Sequence, residues 1–138
     1  MWLMKSEPAA YSWERLLVEQ RTSWEGVRNH QAAANLKAMR VGDEAFFYHS
    51  NQGLEIVGVV KVVTQAYPDS SDPTGRFVTV DVVPLYPLVR PVTLREIKQD
   101  PLLSNMALVR QSRLSVSPVA AAEWARILVL GGVGGVSS

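Results

Sequence analysis

The sequence predicts an α+β fold, a small and mostly antiparallel curved sheet or barrel decorated by short helices. Three observations predict it. Five or more runs of strand character fall within only 138 residues. Short segments lie between them with apolar residues at helical spacing and a polar cap in front. The length is that of one domain, and no interior linker is long enough to separate two.

Trp2 to Lys5 reads as a short strand that enters a turn at Glu7-Pro8. Ser12 is placed to cap a helix whose Trp13, Leu16 and Leu17 share one face. Asn29 is placed to cap a second helix, with Ala32, Leu36 and Met39 along its buried stripe and Gly42-Asp43 as its end. Ala45 to Tyr48 and Glu55 to Val63 read as paired strands around an Asn51-Gln52-Gly53 hairpin turn. Ala66 to Gly75, rich in Pro and Asp, reads as a surface loop, and Phe77 to Val83 as a β-branched strand. Thr93-Leu94-Arg95-Glu96 fits a capping box opening a short helix that stops at Asp100-Pro101. Leu114 to Val116 reads as the last strand. Ser117-Pro118 then reads as a cap and an N1 proline before a helix to about Leu130. Residues 1–130 form one domain in this reading, and 131–138 form a flexible Gly-rich tail.

Composition narrows the function classes. With 47% hydrophobic and 20% charged residues, the chain reads as an ordinary globular protein. No run approaches the roughly 18 apolar residues of a membrane span, and the N-terminus has no signal-peptide pattern, so cytoplasmic residence and no membrane partner are expected. Cysteine is absent and the two histidines lie far apart, which leaves no metal-ligand constellation. No nucleophile elbow or phosphate-cradling glycine loop is present, so neither catalytic residues nor a cofactor are expected. The formal net charge is only +1. A protein gripping a long nucleic-acid tract through phosphates usually carries a much larger basic excess.

Four polar clusters interrupt the apolar pattern at the ends of predicted strands or the start of a helix: Lys5-Ser6-Glu7-Pro8, Trp24-Glu25-Gly26-Val27-Arg28-Asn29, Tyr48-His49-Ser50-Asn51 and Val109-Arg110-Gln111. Such ends are where backbone groups and short polar side chains converge on a ligand. Trp24 has no helical or alternating apolar neighbours, which favours a pocket wall over core packing. Trp2, Trp13 and Trp124 lie in apolar periodic stretches and are assigned to the core. Asn29 carries a donor and an acceptor that can address a base edge, and it is equally placed as a helix cap. Ser6 can contact a ligand or serve the turn before Glu7-Pro8. Glu7 reads as a structural brace to Arg28 or Arg110. Strand alternation puts Tyr48 and Ser50 on one side, with one of them lining the pocket, and turns His49 the other way or onto a loop carbonyl. His30 reads as a solvated first-turn residue.

The phrases Trp2-Leu3-Met4-Lys5-Ser6-Glu7-Pro8, Trp24 to Asn29, Phe47-Tyr48-His49-Ser50 and Leu108 to Val116 are similar to those of the EVE domain family. They occur in the family's order and spacing from Met1 to about Ile127. The resemblance implies a PUA-like fold, a small curved β-barrel with flanking short helices. EVE domains are similar to YTH domains, which hold a methylated adenine in an aromatic cage. The implied function is non-catalytic, RNA- or DNA-binding recognition of one modified base, such as methylated or oxidised cytosine. The chain lacks the N-terminal extension of eukaryotic members, so a bacterial cytoplasmic source is expected, or a nuclear one if eukaryotic.

The expected base pocket comprises Ser6, Trp24, Asn29, Tyr48 and Ser50. Lys5, Arg28, Arg110 and Gln111 are expected at its rim or on phosphates, with Arg113, Lys37 and Arg40 as further phosphate candidates. The expected partner is nucleic acid, bound by a monomer, with weak affinity for the free base sharpened by a second protein or domain or by an already unpaired substrate. Three alternatives stand beside this reading: a structured-RNA-binding PUA-like protein led by its basic residues, an ASCH-like amidohydrolase of modified cytidine using Lys5, Glu7 and Tyr48, and a protein-interaction barrel.

Overall fold

The computed structural model describes residues 1–133. Its elements in chain order are β1 (Trp2–Ser6), α1 (Trp13–Glu19), β2 (Thr22–Ser23), α2 (His30–Ala38), β3 (Glu44–His49), β4 (Glu55–Pro68), β5 (Val78–Thr93), α3 (Leu94–Gln99), α4 (Ala107–Arg110), β6 (Val116–Pro118) and α5 (Ala121–Leu130). One six-stranded sheet runs β2-β5-β4-β3-β1-β6. Every pairing is antiparallel except β1 with β3. A parallel pair cannot be joined by a hairpin. The chain between β1 and β3 therefore makes a crossover through α1, β2 and α2, which begins within the first polar cluster and carries the whole of the second.

Side-chain alternation feeds two apolar clusters, one on each face of the sheet. Met4 and Phe47 enter a cluster with Trp13, Leu16, Trp24, Leu36, Val60 and Val80. Their neighbours Leu3 and Phe46 enter the other, with Ile56, Leu103, Trp124 and Ile127. Trp124 stacks on Phe46 at 3.9 Å between ring centroids, and Trp13 meets Phe47 edge-on at 5.5 Å. Both faces being covered explains why β3 reads as a continuous apolar run.

The helix starts follow the sequence closely. Ser12 accepts from the Arg15 N–H, Asn29 from the Ala32 N–H, and Thr93 and Glu96 close a reciprocal capping box. Leu17, however, is 40% exposed, so the buried stripe of α1 is Trp13 and Leu16.

The strands depart further from expectation. β4 runs to Pro68, so Ala66–Pro68 belong to the sheet and the loop begins at Asp69. β5 continues past Val83 to Thr93 through Pro84, Pro87 and Pro91. Proline is tolerated because β2 pairs only with Asp81 and Val82, leaving the rest of β5 as a sheet edge. Register shifts against β4 at Ile56/Gly58 and Val59/Val60 absorb the irregularity around Pro84 and Pro87. Ser117-Pro118 are not a helix cap. They pair with Leu3 and Trp2 in β6, and α5 starts after Ala120, whose N–H donates to Glu123. α4 and β2 have no counterpart in the sequence reading, because four and two residues are too short for a periodicity signal. Of the expected flexible tail, Gly131 to Val133 are tied back on α5, with the Gly131 N–H on Ile127 O and the Val133 N–H on Leu128 O. Residues 134–138 lie outside the described residues.

Candidate functional site

A cleft of about 490 Å³ opens where β1 ends and β2 leads into Trp24. Lys5, Ser6 and Glu7 form one side, Tyr11, Arg15 and Glu19 the second, and Thr22 to Glu25 the third. Its volume falls within the roughly 300–1,000 Å³ range of small-molecule sites.

Trp24 is only 8% exposed and belongs to the cluster of Met4 and Phe47, so core packing and a wall position coexist in one side chain. Its ring stands perpendicular to Phe47 at 5.6 Å, and its backbone N–H donates to Val80 O at 2.8 Å. Phe47 is itself held edge-on by Trp13 and His49. His49 faces this cluster, as strand alternation requires. Its Nε2 accepts the Trp13 N–H at 3.1 Å, so it serves a helix start rather than a loop carbonyl.

The rest of the Trp24–Asn29 phrase is a lock. Gly26 sits at φ +83°, a left-handed conformation that glycine adopts freely. That conformation aims its N–H at Asp69 Oδ2, 2.8 Å away. Arg28 Nη1 donates to the same oxygen at 3.1 Å, while Nη2 reaches Ser71 Oγ and the guanidinium lies over Phe77 at 5.2 Å. The Asp69 side chain is completely buried. Burial alone would raise its pKa, but the hydrogen bonds from Ser71, Gly26 and Arg28 outweigh it and bring the pKa down to about 2. Asp72 fixes the other end of this loop, accepting from the N–H groups of Thr74, Arg76 and Phe77 and from the Thr74 hydroxyl.

The remaining expected residues separate. Ser6 lines the cleft, but its hydroxyl proton goes to Tyr11 O at 2.5 Å, which ties the end of β1 to the 7–11 turn and leaves the oxygen lone pairs as acceptors. Lys5 lines it as well, with Nζ on Ser112 O at 2.7 Å and near the Tyr48 ring, and its burial lowers its pKa. Asn29 and Gln111 line a different, shallower depression of about 280 Å³ with Gln31, Ser112 and Arg113. Asn29 Oδ1 accepts the Ala32 N–H, so its oxygen serves as the cap of α2. Tyr48 is 2% exposed in the opposite cluster, where burial pushes its phenol up to about 12. Ser50 donates its N–H to Ser6 O and does not line the cleft. Arg110 ends α4, exposed. Glu7 is in no ion pair among the described residues. Arg28 pairs with Asp69, so the expected brace from Glu7 is replaced by a lock from the 69–77 loop.

Sequence reasoning missed Tyr11. It forms a second aromatic wall, with its OH donating to Glu19 at 2.7 Å and Arg15 over its ring at 5.1 Å. An isolated aromatic between a proline turn and a helix cap was its only signal. The cleft carries three carboxylates (Glu7, Glu19 and Glu25) against two cations (Lys5 and Arg15). Such a lining is richer in acceptors than in cations, which suits a neutral, flat ligand with amino donors better than a phosphate. Among the described residues no group of three or more His, Asp or Glu side chains is placed to hold a metal, and no helix is long and apolar enough to cross a membrane.

The family model of the EVE domain matches residues 1–130. Human thymocyte nuclear protein 1 is 37% identical over 164 aligned positions, covering 94% of this chain and 72% of that protein. The NMR structure of Rpa0253 from Rhodopseudomonas palustris superposes with a TM-score of 0.90 at 49% identity, over 95% of this chain and 92% of that one. The crystal structure of the human THYN1 protein in complex with 5-methylcytosine-containing DNA superposes with a TM-score of 0.88 at 36% identity, over 94% and 96% of the two chains. An ASCH protein from Zymomonas mobilis, at 10% identity and a TM-score of 0.58, shares the fold alone. The α+β, PUA-like architecture expected from the sequence is the one these structures share.

Proposed function

The chain belongs to the EVE domain family, and from that premise we propose that it is a non-catalytic nucleic-acid reader that takes one modified base, methylated or oxidised cytosine, into the cleft beside Trp24. The observation that carries the reading is Trp24 itself, an indole wall packed edge-to-face with Phe47 and lining a cleft with more carboxylates than cations. A base stacked on an aromatic side chain gains about 1–3 kcal/mol. Cytosine presents an exocyclic amino donor, which glutamate and a serine lone pair accept. The human relative solved with 5-methylcytosine-containing DNA supports the same ligand class.

The chemistry sets the scale of selectivity. Burial of one methyl contributes about 0.8 kcal/mol, close to a fourfold preference. The free base therefore binds weakly, and extrusion from a duplex costs a few kcal/mol more. An unpaired base or a partner that opens the duplex fits this cleft better than intact double-stranded DNA.

Titration of ¹⁵N-labelled protein with 2′-deoxycytidine and its 5-methyl and 5-hydroxymethyl forms tests the reading. Shifts centre on the Trp24 indole and on Ser6, and the modified nucleosides bind more tightly. Trp24→Leu keeps an apolar filler over Phe47 and removes the stacking face, so binding disappears while the amide pattern persists. Undiminished binding in that variant, or no response to any nucleoside, overturns the proposal. Conversion of N4-acetylcytidine to cytidine by the protein overturns the non-catalytic assignment. Tighter binding to unmodified structured RNA, with steep salt dependence, points instead to a phosphate-led RNA-binding role.

A further inference from the structure

The cleft beside Trp24 does not end at β2. Thr22 and Ser23 also wall a second recess of about 370 Å³, completed by Arg21, Tyr67 and Asp81. β2 is the terminal strand of the sheet, so a two-residue edge is all that lies between the two recesses.

Asp81 organises the second recess. Its Oδ1 accepts from the Tyr67 hydroxyl at 2.5 Å and its Oδ2 from Arg21 Nη2 at 2.9 Å. The same Nη2 reaches Thr64 Oγ1 at 2.7 Å. The Asp81 side chain is 15% exposed, whereas that of Arg21 is 56% exposed and Tyr67 is 36% exposed. An exposed arginine or tyrosine normally samples many rotamers, and fixing each on binding costs free energy. Here one largely buried carboxylate has already fixed both. Arg21 is held through Nη2 and is 56% exposed, and its Nε and Nη1 make no hydrogen bond among the described residues. Arg28 differs, with both terminal nitrogens engaged by Val27 O, Asp69 and Ser71.

A pre-oriented guanidinium and a pre-oriented aromatic face are what a nucleic-acid strand needs beside a read base. The first takes a phosphate, and the second takes the flat face of the next base. We infer that this recess is a flanking-nucleotide subsite. A strand whose modified base occupies the Trp24 cleft crosses Thr22-Ser23, sets the linking phosphate on the free donors of Arg21 and lays the adjacent base on Tyr67. The inference rests on the base-reading role of the Trp24 cleft. It also suits the lining of the Trp24 cleft, whose three carboxylates outnumber its two cations and so favour a backbone phosphate elsewhere.

The test compares 5-methyl-2′-deoxycytidine with the single-stranded trinucleotide dT–5-methyl-dC–dT on the wild type, Arg21→Gln, Arg21→Lys and Tyr67→Leu, by NMR titration and calorimetry. The wild type binds the trinucleotide at least about fivefold more tightly than the nucleoside. Arg21→Gln and Tyr67→Leu lose most of that increment and keep nucleoside affinity within twofold. Arg21→Gln also flattens the slope of log K against log salt by about 0.7, and Arg21→Lys, which keeps the charge, retains the slope. Equal wild-type affinities for the two ligands overturn the subsite, as does an unchanged increment in both variants. Those results leave nucleoside binding through Trp24 standing. Nucleoside binding that survives Trp24→Leu removes the base-reading role instead.

Discussion

Asp69→Asn is the substitution that most directly probes how the cleft is held. The two carboxylate oxygens do different work: Oδ1 accepts from the Ser71 N–H and hydroxyl, and Oδ2 accepts from the Gly26 N–H and Arg28 Nη1. An asparagine offers one oxygen and one NH₂, so whichever way it turns, one set of donors faces a donor. Leaving a buried donor unmatched costs about 1–3 kcal/mol, and Arg28 at 40% exposure recovers part of its share from water. The expected loss is therefore about 1–3 kcal/mol at pH 7, with weaker nucleoside binding because Gly26 stands two residues from Trp24. The pH dependence has a definite sign. The folded pKa of Asp69, about 2, lies below its ordinary value of 3.8, so its contribution is complete above the unfolded pKa and fades as pH falls from about 4 toward 2. Urea unfolding of wild type and variant from pH 7 down to 2.5 reads this directly: the stability gap narrows through that window. A variant as stable as the wild type at pH 7, or a gap that stays constant to pH 2.5, refutes the lock.

Other outcomes follow from single sites. A Cβ on Gly58 would stand 2.5 Å from the Trp13 ring, so Gly58→Ala overpacks the join between α1 and the sheet and costs about 1–3 kcal/mol in denaturant unfolding. Asn29→Ala removes the α2 cap and costs about 1 kcal/mol, whereas Asn29→Asp keeps the acceptor and the stability. An equal loss in both would show that the oxygen is not what matters. Ultraviolet titration of the tyrosines should find Tyr48 the last to ionise, since burial pushes it up to about 12; its ionisation alongside the others would contradict that burial.

What the sequence by itself determined is what short-range chemistry determines. Ser12, Asn29 and Thr93 mark helix starts because a cap is satisfied within three residues, and all three do so. The apolar run at Ala45 to Tyr48 marks a buried strand, and the four polar phrases mark the family and hence the fold. Trp24 stood out because nothing periodic surrounds it, and it lines the cleft.

Tertiary structure alone decided which residues face that cleft together. Tyr48 follows Phe47 in sequence, yet alternation across a sheet covered on both faces sends it to the opposite cluster. Asp69, read only as a loop residue, lies 41 positions from its Arg28 partner and became the anchor of the cleft through a contact no local pattern encodes. β5 runs past the point where its prolines suggest an end, because only the pairing shows that this stretch is a sheet edge. Local hydrogen bonds and periodicity are written into neighbouring residues. The cleft is assembled from the ends of β1, α1 and β2, and its geometry exists only once the crossover between two parallel strands has closed.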